Sequence, residues 1–409
     1  MRNWVLTNIK SLVQVRSMPE KPLVGEDFGR VPCIDYAYLV IRDGKVFDFG
    51  PMENLNQEVF SSFSIIDCSG RFVLPAFCDS HTHLVFAKSR ENEFVQKIQG
   101  LSYQEIAALG GGIVNSALHV ATMTEEALFE QSKQRLLKIV ASGTGAIEIK
   151  SGYGLTLENE LKILRVIQRL KNENIIPVKA TFLAAHALPL EFIGRKKTYV
   201  DSIVNTWIPK VAEEQLADYV DLFCETGYFD LEDLDRIAEA TQKTSMGLKV
   251  HVNQFSTFGG VSHAIHHKAH TLDHLEILTE EDLLAMVNQP TIATVLPGCS
   301  FFLNLPYAPA RKIVDHRIPL AIASDFNPGS SPAYNLFLMW SLACINLRLS
   351  PEEALNALTV NASFAMGIEA EQGAIFKGYA GKIIITEKAP SLAYFPYAFG
   401  ENHLHQMIN

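Results

Sequence analysis

The chain has no Cys-x-x-Cys pair and no disulfide-style spacing; its six cysteines, Cys33, Cys68, Cys78, Cys224, Cys299 and Cys344, lie far apart. Spread so thinly through 409 residues, they read as reduced thiols of a cytoplasmic protein rather than as a disulfide scaffold. No stretch approaches the roughly 18 consecutive apolar residues that a membrane span needs. The amino terminus interrupts its apolar residues with Asn3, Asn8 and Lys10, and so fails as the core of a signal peptide. Basic clusters are as scarce: beyond Arg195, Lys196 and Lys197 none is present, and 35 Lys and Arg stand against 45 Asp and Glu, a net charge of −10. That balance argues against a nucleic-acid partner, which needs clustered cations. Internal repeats and low-complexity segments are absent, and so is the glycine fingerprint of a dinucleotide-binding unit. What the chain does have is 48% apolar and 20% charged residues, a soluble globular composition, with 13 histidines among them.

Two textures divide the chain. Residues 1–74 alternate short β-rich runs with turns, and Asp43-Gly44 between two alternating runs is a hairpin signal. Residues 370–409 return to that texture, so the two ends are expected to build one small β-sandwich-like domain. Between them, residues 75–369 place short apolar runs with polar or glycine-rich tips before amphipathic stretches. The runs fall at 77–85, 145–154, 178–186, 219–227, 248–255, 271–277, 291–298 and 320–329. Segments 158–174 and 231–245 repeat apolar residues at helical spacing. Eight strands, each followed by room for a helix, predict an α/β fold of the (β/α)8 TIM-barrel type.

In such a barrel reactive groups come from the carboxyl ends of different strands. Here the first run ends in His81-Thr-His83, the third in His186, the fifth in His251 and the eighth in Asp325, and the sixth carries His274. His81 and His83, one residue apart on a strand, project to the same face. Neutral imidazoles suit zinc or iron, and three histidines with one carboxylate complete a catalytic ion's protein shell while leaving room for water. Each of these residues alone would more often be a satisfied core or surface side chain; their convergence at one rim reverses that preference.

The segments HTHLVFAKSRENEF (81–94), GGGI (110–113), KSGYG (150–154), AAHALP (184–189), ETGYF (225–229), LKVH (248–251), DHLE (273–276) and ASDFNPGSSP (323–332) carry a more specific signal. With them the chain resembles the amidohydrolase superfamily and, within it, the imidazolonepropionase family, over essentially its full length. The resemblance implies one Zn2+ or Fe3+ per chain, held by His81, His83, His251 and Asp325. It implies hydrolysis of the ring C–N bond of 4-imidazolone-5-propanoate to N-formimidoyl-L-glutamate, the third step of histidine degradation, in a cytoplasmic homodimer. Arg90 matches the family's carboxylate-binding arginine, Tyr103, Tyr153 and His186 match further substrate contacts, and Asn327, Gly329 and Ser330 match the loop that receives substrate or product. His274 matches the residue that stabilises the developing oxyanion, and Asp325 is expected to move the water's proton to the leaving nitrogen.

One position departs from many relatives, which have glutamate three residues after the strand-five histidine; this chain reads His251-Val-Asn-Gln254. A glutamine cannot take a proton but can donate and accept hydrogen bonds, so Gln254 is assigned to substrate orientation. The competing readings are a related amidohydrolase acting on another cyclic amide or amidine, which Arg90 disfavours because a neutral base has no carboxylate, and a non-catalytic homologue, which the complete ligand set disfavours. His263, His266, His267 and His270 share one helical face, and read as part of a crossover helix. Lys150 reads as structural or pocket-lining rather than as a bridge between two metals. Gly110 to Gly112 offers a flexible candidate for a lid.

Overall fold

The structure is a computed structural model that describes residues 3–17, 19–56, 60, 62–102, 105–106 and 109–409. The amino-terminal segment supplies strands β1 (Trp4–Val13), β2 (Cys33–Arg42), β3 (Lys45–Pro51), β4 (Ser64–Asp67) and β5 (Arg71–Pro75). Asp43 and Gly44 both take positive φ, 52° and 75°, and turn β2 back antiparallel onto β3. Strand β1 pairs with β2 on one side and, in parallel, with β4 and then β5 on the other, its pairing with β2 broken between Leu6 and Ile9. All of these strands belong to one hydrogen-bonded sheet, so the sandwich-like outline expected from sequence is realised as a single sheet with a break in register. Its apolar side centres on Leu6, Ile9, Leu12 and Leu39.

The chain then enters a parallel barrel made of β6 (Phe77–Asp79), β7 (Thr144–Lys150), β8 (Val178–Ala185), β9 (Tyr219–Cys224), β10 (Gly247–Val252), β11 (Thr271–His274), β12 (Ile292–Val295) and β13 (Leu320–Ile322), each paired to its neighbour in chain order. Every one lies within, or within a residue of, an apolar run read from the sequence, because a parallel strand covered on both faces is apolar nearly throughout. Several of the intervening helices begin at side-chain caps. Thr156 accepts from the Asn159 N–H to start Leu157–Asn172, and Asp230 forms a reciprocal capping box with Asp233 to start Leu231–Thr241. Strands β14 (Ile383–Lys388) and β15 (Leu404–Ile408) rejoin the first sheet, β14 lying antiparallel to β5. Among the described residues no helix is long and apolar enough to cross a membrane.

The histidine-bearing stretch forms the crossover helix Gly260–His266. His263 Nδ1 and His267 Nε2 lie 3.0 and 2.9 Å from the same oxygen of Asp235, while His270 donates to the Phe364 carbonyl at 2.9 Å. The helix ends at His266, so His267 caps it and His270 lies beyond it, and these bonds tie the crossover helix and the turn after it to their neighbours rather than gathering four imidazoles on one helical face.

Strands β6 and β13 share no ladder. The barrel closes just beyond their ends, where the Asp325 N–H donates to the His81 carbonyl at 3.0 Å and the His83 N–H to the Phe326 carbonyl at 2.8 Å. Below, Asp79 accepts from the Ser324 N–H at 3.0 Å and from its hydroxyl at 2.6 Å. Burial pushes the Asp79 carboxyl up to about 7. Asp79→Ala would strand the buried Ser324 donors, at a cost of about 1–3 kcal/mol. The expected result is a lower urea midpoint at unchanged slope; an unchanged midpoint would remove Asp79 from the closure.

Candidate active site

Ionisable residues occupy alternate positions on strands that are otherwise apolar: Glu148 and Lys150 on β7, Asp221 on β9, Lys249 and His251 on β10, Asp273 on β11. Period two turns them into the barrel, and all are buried. The Lys150 ammonium donates to Glu148 at 2.9 Å, Asp221 at 2.7 Å and Asp273 at 3.2 Å. Lys249 pairs with the second oxygen of Glu148 and donates to the Ala365 carbonyl at 2.7 Å. Burial works against the Lys150 ammonium, but the Asp221, Glu148 and Asp273 carboxylates outweigh it and push its pKa up. Lys150 therefore lies beneath the cavity and does not line it, and its Nζ is engaged by three carboxylates.

The same two aspartates orient the histidines above them. His81 donates from Nδ1 to Asp273 at 2.6 Å, and His251 from Nδ1 to Asp221 at 3.0 Å. A carboxylate can only accept, so Nδ1 carries the hydrogen and Nε2 keeps its lone pair. The Nε2 atoms of His81 and His251 are buried without a hydrogen-bond partner. One ligand atom from each of His81, His83 and His251 lies within 4.8 Å of the others. Asp325 Oδ1 stands 3.6 Å from Nε2 of both His81 and His83. Burial holds all three imidazoles well below their ordinary pKa, hence neutral. Neutral, converging and unpartnered nitrogens beside a carboxylate form a donor set that fits one zinc or iron ion.

Asp325 and His274 both sit in the left-handed region, with φ of 53° and 86°, as does Leu275 at 64°. Such backbone is costly for a residue with a Cβ and collects where side chains must be aimed. The His274 ring donates from Nδ1 to Glu276 at 3.2 Å. Burial opposes its protonation, but the Glu276 carboxylate outweighs that and raises its pKa.

The cavity above is floored by His83, His251, His274 and Asp325 and walled by Arg90, Tyr153, His186, Gln254, Asn327 and Ser330. Arg90 is buried, with Nε 3.1 Å from Glu93, and Glu93 in turn accepts from the Gly112 N–H at 3.1 Å and from Asn115 at 3.0 Å. The arginine is thus both paired with Glu93 and turned to the cavity, and Glu93 ties it to the GGGI segment. A Cβ on Gly329 would overlap the Arg90 guanidinium, so glycine is required there for the arginine to seat. The Gly329 and Ser330 N–H groups donate to Asn327 Oδ1 at 2.8 and 2.7 Å, and the Asn327 amide donates to the Asp325 carbonyl at 2.7 Å. Those N–H groups shape the loop. His186 donates to the Gly152 carbonyl at 3.1 Å, and burial takes its pKa down to about 4. Gly152 and Gly154, with Leu155, donate to the buried Glu160 carboxylate, which fixes the loop carrying Tyr153. Tyr103 lies outside the described residues. Ile113 and Phe223 also line the cavity; as apolar residues in apolar runs they gave no sign of it. Glu148, Asp221, Lys249 and Asp273 were missed as well, although charged residues at alternate positions in buried strands are a usable signal.

A closed parallel barrel whose carboxyl rim gathers imidazoles and an aspartate over a buried charge network defines a hydrolase of the amidohydrolase class. The imidazolonepropionase of Christiangramia forsetii is 46% identical over 400 residues, covering 98% of this chain and 97% of its own. That of Caldanaerobacter subterraneus is 39% identical over 388 residues, covering 95% and 92%. The chain belongs to the imidazolonepropionase family. Among solved structures, the guanine deaminase of E. coli has a TM-score of 0.73 at 13% identity over 100% of this chain and 97% of its own. A zinc complex of an atrazine chlorohydrolase mutant from Arthrobacter aurescens reaches 0.68 at 13% identity, covering 99% and 93%. At such identity the likeness is one of fold alone. No family model matches the chain.

Removing the ammonium while keeping its length, Lys150→Met, would leave Asp221 and Asp273 facing each other uncompensated. Loss of one partner from a buried pair costs about 3–5 kcal/mol, so a large fall in thermal midpoint and weaker metal retention in equilibrium dialysis are expected. Wild-type retention in Lys150→Met would detach the network from the histidines.

Proposed function

We propose that this chain hydrolyses the ring C–N bond of 4-imidazolone-5-propanoate, giving N-formimidoyl-L-glutamate. The observation that carries the reading is a buried arginine, Arg90, facing the same small cavity as the imidazole and aspartate cluster. A substrate with a ring lactam at one end and a carboxylate at the other has a use for both. A neutral nucleobase, the substrate class of the deaminase reading, has no carboxylate to match the guanidinium that Arg90, paired behind with Glu93, turns to the cavity.

His81, His83, His251 and Asp325 would hold one Zn2+ or Fe3+. Bound there, such an ion supplies an acidified water and a positive charge for a developing oxyanion. The chain's own residues do the rest. The planar Arg90 fork binds both oxygens of the propionate, and Tyr153 and His186, with Tyr103, close around the substrate. Gln254 donates to and accepts from the ring lactam. His274, its Nδ1 held by Glu276, turns Nε2 toward the lactam oxygen and donates to it as charge builds. Asp325 accepts a proton from the attacking water and delivers it to the ring nitrogen as the C–N bond breaks. In the ion-free chain burial pushes Asp325 up to about 6, and a bound cation opposes that rise. Asn327 and Gly329 hold the loop from which Ser330 meets substrate or product. The same family reading makes the protein a cytoplasmic homodimer, which sedimentation tests directly.

Metal content and disappearance of the imidazolone are the deciding measurements. Wild type with one ion per chain should consume it, and Arg90→Ala and Gly329→Ala should raise KM by about 10- to 100-fold, with a smaller change in kcat, as a charged hydrogen bond lost to the substrate predicts. A metal-loaded enzyme that spares the imidazolone and deaminates a nucleobase would replace this reading with the deaminase one. Gln254→Glu should remain active, since the family tolerates a carboxylate there; complete loss would make the amide itself indispensable.

A further inference from the structure

Beside the ligand set lies a second convergence of metal-binding atoms that the reaction does not employ as a unit. His274, Glu276 and Cys299 each bring one ligand atom within 4.8 Å of the other two, and all three are buried. His274 ends the sixth barrel strand, Glu276 follows two residues later, and Cys299 sits in the helix Pro297–Leu303 after the seventh strand; the His274 ring lies 5.9 Å, centroid to centroid, from that of His81. Two observations mark the place as more than a thiol in a core. Glu276 Oε2 is fully enclosed and has no hydrogen-bond partner, although its other oxygen accepts from His274 at 3.2 Å and from Ser300 at 3.3 Å. An orphaned carboxylate oxygen at this depth is costly unless something positive meets it. The His274–Glu276 spacing is also apt: two atoms bound tetrahedrally to one zinc, each about 2.1 Å away, stand about 3.4 Å apart.

We propose that His274, Glu276 and Cys299 form a second site for a thiophilic divalent cation, of the zinc, cobalt or cadmium kind, and that filling it stops turnover. Sulfur, imidazole and carboxylate together favour such ions over magnesium or calcium. On binding, the Cys299 thiol and the His274 Nδ1 each give up a proton to solvent, because the ion takes the place of both hydrogens. His274 keeps its Nε2 hydrogen, but as the three ligand atoms close on one ion the ring is drawn toward Cys299 and Nε2 leaves the lactam oxygen. The inhibition rests on the role proposed for His274; the binding does not.

The test adds Co2+ to the metal-loaded full-length protein and reads bound cobalt and the near-ultraviolet spectrum together. One further ion per chain should bind with a thiolate-to-cobalt charge-transfer band, and Cys299→Ala should lose both. Glu276→Gln should keep the band but weaken binding by about tenfold or more. In parallel, added Zn2+ should inhibit the wild type at concentrations that leave Cys299→Ala turning over. Retained cobalt without a thiolate band, a band that persists in Cys299→Ala, or no additional ion would each overturn the site. If the imidazolone is not a substrate, the cobalt band still appears, so failure of the functional reading and failure of this site are separable.

Discussion

One buried ammonium sets the geometry of the site. Lys150 reaches Asp221 and Asp273 from below, and each of those carboxylates takes the Nδ1 hydrogen of one histidine above it. The charge of the lysine keeps two adjacent carboxylates compatible with burial, and the carboxylates fix the tautomers of His81 and His251. Two lysines, Lys150 and Lys249, face three carboxylates in this layer, which leaves the floor net negative and suited to a cation above it. An exposed pair would contribute little, whereas a pair enclosed on all sides is costly to break. The fold therefore protects the network by placing it in the barrel interior.

The rim is built by the same bonds that close the barrel. Asp325 and His81 exchange a backbone hydrogen bond where β6 meets β13, so the first ligand strand and the last are locked together at the level of the ligands. Asp325 and His274 are held in the left-handed region at that level. The energy for that strain comes from the packed barrel, which shares its apolar cluster with the faces of β5 and β14. Arg90 shows the same economy at a distance: Glu93 tethers it to the Gly112 segment, and the missing side chain of Gly329 leaves its seat open.

Much of this was legible in the sequence because it is written in local patterns. Buried parallel strands are apolar runs with polar tips, and all eight could be read that way. His81 and His83 declare a common face through a spacing of two, and Asp43-Gly44 declares a hairpin through its need for positive φ. What could not be read is pairing across the barrel. Lys150 meets partners 71 and 123 residues away, and nothing local distinguishes a lysine bound for that network from one that lines a pocket. Arg90 reads from the resemblance as a carboxylate-binding arginine, and the fold adds its burial, its pairing with Glu93 and its place on the cavity wall. The inward turn of the Gly329 and Ser330 N–H groups was not legible either, because it depends on the Asn327 side chain, two residues past Asp325, capturing both.

The network fixes the histidine tautomers before any ion arrives. Long-range proton–nitrogen correlation spectra of the metal-free protein, labelled at histidine nitrogens, read this directly. His81 and His251 should both be neutral rings with the hydrogen on Nδ1 and a bare Nε2. Finding the hydrogen on Nε2 in either ring, or rapid exchange between the two tautomers, would contradict it.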